Sequence, residues 1–178
     1  MSGVGVGTVC SVTLNGVLLH HGIPVNSRFG GVLEVRDRVP MRFVEIINYD
    51  GTSVDPLEVF IHSGMTDYVG AVTRGTGRIG ASFREFPAVS RDQVRELAGR
   101  LEKTGLGGFM LIGSASQPVL QVPVNEGMAG AIVIGGLNPM AIAVEKGLRF
   151  HSRALAGLIG FERLFPYTEI DGRLKKYL

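Results

Sequence analysis

The chain has no tryptophan, one cysteine and no apolar run that reaches the ~18 residues needed to cross a bilayer. A lone cysteine excludes an internal disulfide and a cysteine-rich zinc site, and suits a reducing cytoplasm. The opening Met1-Ser2-Gly3-Val4-Gly5-Val6-Gly7 lacks the basic region of a secretory signal, so a cytoplasmic, membrane-free protein is expected. Charge of one sign is also scarce. A formal net charge of +2 on 178 residues gives no electrostatic case for a nucleic-acid surface. The nearest basic cluster, Arg173-Leu174-Lys175-Lys176, reads as a solvated terminus.

Catalytic motifs are scarce as well. The four histidines, His20, His21, His62 and His151, have no partners at metal-ligand spacing. No serine sits in G-x-S-x-G and no phosphate loop is present. Gly75-Thr76-Gly77-Arg78-Ile79-Gly80 matches G-x-G-x-x-G, but that fingerprint opens a helix, and the residues after it read as a strand. Neither a metal nor another cofactor is implied, and no enzymatic activity is expected.

What remains is a folded chain, 45% hydrophobic and 19% charged, of a length that suits one sizeable core. Its 26 glycines, without a triplet period, point to tight turns and close backbone approaches. Thr8 to Leu14 is rich in β-branched residues, Asn15-Gly16 is the preferred dipeptide of a type I′ turn, and Val17-Leu18-Leu19 resumes the apolar run, which predicts a β-hairpin. Strands follow over residues 32–35 and 42–47. Asp55-Pro56 caps and opens a short helix ending at Gly64, and Thr66 or Asp67 caps another through Val72. A strand is predicted over 78–83. Ser90 caps the clearest helix, through Lys103, with Val94, Leu97, Ala98 and Leu101 on one face. Strands over 108–112, 119–122 and 131–134 lead to a helix capped by Asn138 and started by Pro139. The fold class is α/β (α+β), a mixed, largely antiparallel sheet with helices packed against it, turning βαβ-like in its second half. A shift of 99 residues carries Ile23-Pro24-Val25-Asn26 onto Val122-Pro123-Val124-Asn125 and Pro40-Met41 onto Pro139-Met140, which is read as chance similarity rather than duplication.

One chemical feature recurs. Three expected helix starts follow flexible, glycine-bearing loops: Asp50-Gly51-Thr52-Ser53, Ser63-Gly64-Met65-Thr66 and Gly135-Gly136-Leu137-Asn138. Unpaired N–H groups there favour a carboxylate or phosphate, and Arg28 and Arg84 lie where a guanidinium could pair with it. Ordinary capping is the alternative at each terminus. Cys10 is either a small core residue or a weak donor in a ligand cleft.

The segments Gly7-Thr8-Val9-Cys10-Ser11-Val12-Thr13-Leu14-Asn15-Gly16-Val17-Leu18, Ser27-Arg28-Phe29-Gly30-Gly31, Tyr49-Asp50-Gly51-Thr52-Ser53-Val54-Asp55-Pro56-Leu57-Glu58, His62-Ser63-Gly64-Met65-Thr66 and Gly135-Gly136-Leu137-Asn138-Pro139 resemble the regulatory domain of the NrpR family, archaeal repressors of nitrogen-assimilation genes. The likeness runs from about Gly7 to about Leu158 and implies an effector-binding domain over residues 1–160, with 161–178 an extension of unknown role. It implies that the domain senses 2-oxoglutarate, that binding relieves repression, and that the domain forms a homodimer. Members commonly carry a winged helix for DNA; with none in this chain, contact with DNA is expected only through a domain or partner outside it. On this resemblance the expected ligand-binding residues are Cys10, Ser11, Arg28, Thr52, Ser53, Asp55, Ser63, Gly64, Thr66, Arg84 and Asn138. Thr52, Ser53, Ser63, Gly64 and Thr66 would cradle one carboxylate, Arg28 or Arg84 would pair with the other, and Cys10 and Ser11 would lie near the keto group. Two alternatives stay open: an enzyme acting on a small carboxylate with Asp50, Asp55 or Glu85 as base, and a pure dimerisation module.

Overall fold

The computed structural model describes residues 5–149, 151–153 and 156–175; the opening Met1–Val4 and Lys176 of the basic run lie outside them. Of that run, Arg173 pairs with Glu169 and Lys175 with Asp171, each one helical turn away. Five strands, β1 (Asn26–Arg36), β2 (Val39–Asn48), β3 (Gly77–Pro87), β4 (Phe109–Ala115) and β5 (Met128–Ile134), form one sheet in the order β2-β1-β3-β5-β4. Every neighbouring pair is antiparallel. The mixed α/β class is as expected, and the βαβ-like second half takes a split form, with β3 and β4 parallel, joined through a helix and separated by β5. The chain leaves β3, crosses through a helix and enters β4 on the far side of β5, so no two adjacent strands run parallel.

Six helices accompany the sheet among the described residues: α1 (Val12–His20), α2 (Pro56–His62), α3 (Tyr68–Arg74), α4 (Arg91–Lys103), α5 (Asn138–Glu145) and α6 (Ile170–Leu174). Helix α1 corrects the predicted hairpin over Thr8–Leu19. Its β-branched residues and Asn15-Gly16 favour strands and a turn locally, but Leu14 and Leu18, four apart, bury one helical stripe. Leu14 packs with Leu101 and Val133, and Leu18 with Phe86, Val94 and Leu97. Tertiary burial of two leucines, worth about 1.5–3 kcal/mol each, outweighs propensities of a few tenths per residue. Asn15, instead of turning the chain, donates to Ser27 Oγ at 3.0 Å.

Helix α2 forms where expected: Asp55 Oδ1 accepts the Leu57 amide at 2.9 Å, and Pro56 occupies the first turn. Helix α4 presents Val94, Leu97 and Leu101 to the core, although Ser90 makes no side-chain cap bond. The predicted strand 119–122 is only a bridge between Val119 and Val122. The 99-residue offset aligns β1 with β5, which flank β3, but puts Pro40 in β2 and Pro139 in α5, so the second half of the match joins unlike structures.

Side chains alternate across β3 and divide the molecule into two faces. Phe83, Ala81 and Ile79 join Phe29, Leu33, Val35, Val119 and Ile132 in one core, against which Tyr68 and Ala71 of α3 pack. Phe86 faces α1 and α4 on the other side, where Val32 meets Leu57 and Phe60 of α2. Between these apolar clusters the helix-covered face carries the polar residues Ser82 and Arg84, both fully buried.

Candidate functional site

Arg84 is 2% exposed, yet no carboxylate pairs with it among the described residues. Its guanidinium donates to two neutral hydroxyls, from Nη2 to Ser11 Oγ at 2.9 Å and from Nη1 to Ser27 Oγ. The buried Nε has no partner among the described residues. Burial disfavours the charge and pulls the Arg84 pKa down, against the opposing influence of Tyr49 and Cys10. An arginine remains cationic even so, and a buried cation without a counter-ion is a costly arrangement that asks for a reason.

The surroundings are built of small polar groups. Cys10 and Ser11, both half-buried, precede α1 and lie over the end of Arg84. Tyr49, half-buried just after β2, has its phenol pushed up by burial and lies close enough to Arg84 and Cys10 to feel both. Glycine is required at position 30, which pairs with Ser82 across the strands. A Cβ there would stand 2.8 Å from Pro56 Cβ and 3.2 Å from the Tyr49 hydroxyl, so only glycine lets α2 and the tyrosine approach the sheet this closely. Ser82 Oγ, also buried, has no hydrogen-bond partner of good geometry. Asp55 belongs to the margin of this cluster; burial raises its pKa and the Leu57 amide only partly offsets that.

The start of α5 faces the same N-terminal segment. A Cβ on Gly136 would lie 3.4 Å from the Cys10 Cα, and among the described residues no backbone acceptor receives the Gly136 or Leu137 amide. Asn138 does not cap this helix; Leu137 occupies the cap position. The buried Asn138 side chain instead bonds Gly80 on both sides, accepting its amide and donating to its carbonyl at 2.8 Å each. It thereby rivets the start of α5 to β3. Gly80 leaves room for this, since a Cβ would stand 2.9 Å from Asn138 Oδ1.

The other expected residues are placed differently. Arg28 donates to Glu85 Oε1 at 2.9 Å and to the Pro123 carbonyl, and lies over the Phe83 ring, on the opposite face of the sheet from Arg84. Its charge is already matched. Ser63 and Gly64 end α2 rather than begin α3: the Ser63 amide bonds Val59 O and Gly64 has φ +69°. The loop before α3 does cradle a carboxylate, but the chain's own. Glu145, at the end of α5, accepts from Thr66 Oγ1 at 2.7 Å and from the Tyr68 and Val69 amides at 2.8 Å each. Thr52 bonds locally to Val54, and Ser53 is exposed. The structure thus gathers Cys10, Ser11 and Arg84, with Asp55 and Asn138 at the border, and leaves Arg28, Ser63, Gly64 and Thr66 elsewhere.

Ser27, Tyr49 and Ser82 were not foreseen. The signal available for Ser82 was its spacing from Arg84: two polar residues at i and i+2 share one face of a strand. Surface hollows of about 380 Å³, beside Thr168, Glu169 and Arg173, and about 260 Å³, beside Glu34, Thr66 and Arg78, lie away from Arg84. Ser11 and Ser27 cover the guanidinium itself.

Residues 2–165 match a family model described as NrpR regulatory domains NRD1 and 2. The chain is 32% identical over 161 residues to the global nitrogen regulator NrpRI of Methanosarcina mazei, covering 90% of this chain and 50% of that protein. It is 32% identical over 167 residues to the global nitrogen regulator NrpR of Methanocaldococcus jannaschii, covering 94% of this chain and 28% of that protein. The chain therefore spans half or less of these relatives. The crystal structure of a nitrogen repressor-like protein from Methanococcus jannaschii superposes with a TM-score of 0.67 at 32% identity, over 83% of this chain and 61% of that one.

Proposed function

The chain belongs to the family of NrpR regulatory domains, and from that premise we propose that it is the effector-binding part of a repressor of nitrogen-assimilation genes, takes up 2-oxoglutarate at Arg84, and acts as a homodimer whose hold on DNA, exerted through a segment or partner outside this chain, weakens when the ligand binds. The observation that supports this reading most is a guanidinium 2% exposed with, among the described residues, no carboxylate paired with it. A dicarboxylate supplies the missing charge. One carboxylate displaces Ser11 or Ser27 and engages Arg84; in this reading the Gly136 and Leu137 amides, next to the Val9–Cys10 backbone, receive the other, with Cys10 and Ser11 near the keto group.

Because the guanidinium is covered, entry requires the exposed segment before Ser11 to move aside. That movement couples the ligand to the N-terminal side of the domain. A metabolite sensed at roughly 0.1–1 mM requires only about 4–5.5 kcal/mol of binding free energy. Two sets of charge-assisted contacts at about 1.5–3 kcal/mol each supply it without metal or covalent chemistry.

Titration calorimetry with 2-oxoglutarate tests the assignment. Wild type and Arg28→Met bind, Arg84→Met does not, and the ligand is recovered unaltered. Equal affinity in Arg84→Met overturns the site, and turnover of the ligand favours an enzyme instead.

A further inference from the structure

Cys10, the one cysteine of the chain, is a free and half-buried thiol placed between the exposed residues 5–9 and α1. Wholly buried cysteines are inert, whereas reactive ones sit partly exposed in electropositive surroundings. Cys10 meets both conditions. The next residue, Ser11, accepts from Arg84 Nη2 at 2.9 Å, and Cys10 and Arg84 are close enough for a charge on one to influence the other.

A cysteine by itself is not a site; what marks this one is the unmet polarity beneath it. Arg84 Nε and Ser82 Oγ belong to residues 2% and 0% exposed, and neither atom has a hydrogen-bond partner among the described residues. Two apart on β3, they share the face over which Cys10 and Ser11 lie. The Tyr49 phenol, which feels both Arg84 and Cys10, and Gly136, whose added Cβ would stand 2.5 Å from the Val9 carbonyl oxygen, close the surroundings. A buried cation with an idle donor calls for an acceptor, best an anionic one. An oxygen carried by the Cys10 sulfur is an acceptor that the chain itself can acquire.

We propose that Cys10 is a peroxide-reactive site whose oxidation closes the Arg84 site to 2-oxoglutarate. The closure rests on the ligand reading given above; the reactivity does not. The Cys10 sulfur attacks the terminal oxygen of a hydroperoxide: an S–O bond forms, the O–O bond breaks, and two electrons pass from sulfur to the peroxide. The thiol becomes a sulfenic acid, and its proton leaves with the other oxygen as water or an alcohol. The new oxygen then accepts from Arg84 and takes the place of the ligand's carboxylate. Because Cys10 has no second cysteine in this chain to pair with, the oxidised form persists until an external thiol reduces it.

Treating the whole chain with hydrogen peroxide in the presence of dimedone, with mass spectrometry of the Cys10 peptide, reads the reactivity without any ligand. Wild type is labelled about tenfold faster than Arg84→Met, which lacks the cation, and Cys10→Ser is not labelled. Circular dichroism checks both folds. Saturating 2-oxoglutarate slows the labelling of wild type. In calorimetry, oxidised wild type binds 2-oxoglutarate about tenfold more weakly than reduced wild type, and dithiothreitol restores the affinity. Peroxide does not change the affinity of Cys10→Ser, whatever its starting value, which separates the cysteine from methionine oxidation. Equal labelling rates in wild type and Arg84→Met overturn the site, and an affinity unaltered by oxidation overturns the closure. Reduced wild type that fails to bind 2-oxoglutarate overturns the function proposed above and the closure with it, while the labelling rates still decide the reactivity of Cys10.

Discussion

Arg84 and Glu85 are consecutive residues of one strand, both fully buried, and they live under opposite electrostatic conditions. Glu85, 0% exposed on the face opposite Arg84, accepts from Arg28 at 2.9 Å and from the amide and side chain of Asn125 at 3.0 and 2.8 Å. Arg84, on the helix-covered face, has two hydroxyls and an idle Nε. The first is a satisfied structural charge that ties the loop before β5 to the sheet. The second is a buried charge with no ionic partner among the described residues. A single strand can therefore carry both kinds because alternation sends neighbouring side chains to different sides.

The sharpest way to break this contrast is to remove each charge in turn. Glu85→Ala leaves a buried gap beside Arg28 and Asn125 and lowers stability by about 3–5 kcal/mol, read as a drop in the urea midpoint at unchanged slope. Glu145→Ala empties the cradle at α3, leaving Thr66 and two helix-start amides without their acceptor, and costs about 1–3 kcal/mol by the same measurement. It is the nearest control for the site, since it removes a carboxylate from a helix start without touching Arg84. Arg84→Met goes the other way. Replacing a desolvated, unpaired cation by an apolar side chain of similar length leaves the ligand-free stability unchanged or raises it by about 1 kcal/mol, while abolishing stabilisation by 2-oxoglutarate in thermal unfolding.

The smallest effect concerns Asp55. Burial raises its folded pKa above the ordinary 3.8, so its contribution to stability is fully present below 3.8 and is lost as pH rises through the elevated folded value. Asp55→Asn keeps the cap on Leu57 and flattens that part of the pH–stability curve. A curve that is identical in the variant contradicts this assignment.

Much of the frame was legible in the chain. Asp55-Pro56 announced α2, and the spacing of Val94, Leu97 and Leu101 announced α4, because capping and helical periodicity are local signals. Thr8–Leu19 was misread because its local preferences favour a hairpin, and only the contacts of Leu14 and Leu18 with distant residues decide otherwise. The site divided in the same manner. Cys10, Ser11 and Arg84 were named and are together, whereas Arg28 and Arg84 could not be told apart without strand register. The Thr66 cradle was legible as an anion site, but its occupant, Glu145, comes from 79 residues further on. No short-range signal carries that distance.

The central claim is that Arg84 waits for an external carboxylate, and side-chain NMR of the arginine Nε–Hε groups during addition of 2-oxoglutarate tests it most directly. The account predicts that the Arg84 Hε resonance shifts and becomes protected from exchange as the ligand saturates, while that of Arg28 stays in place. Saturable binding that leaves the Arg84 resonance unmoved contradicts it.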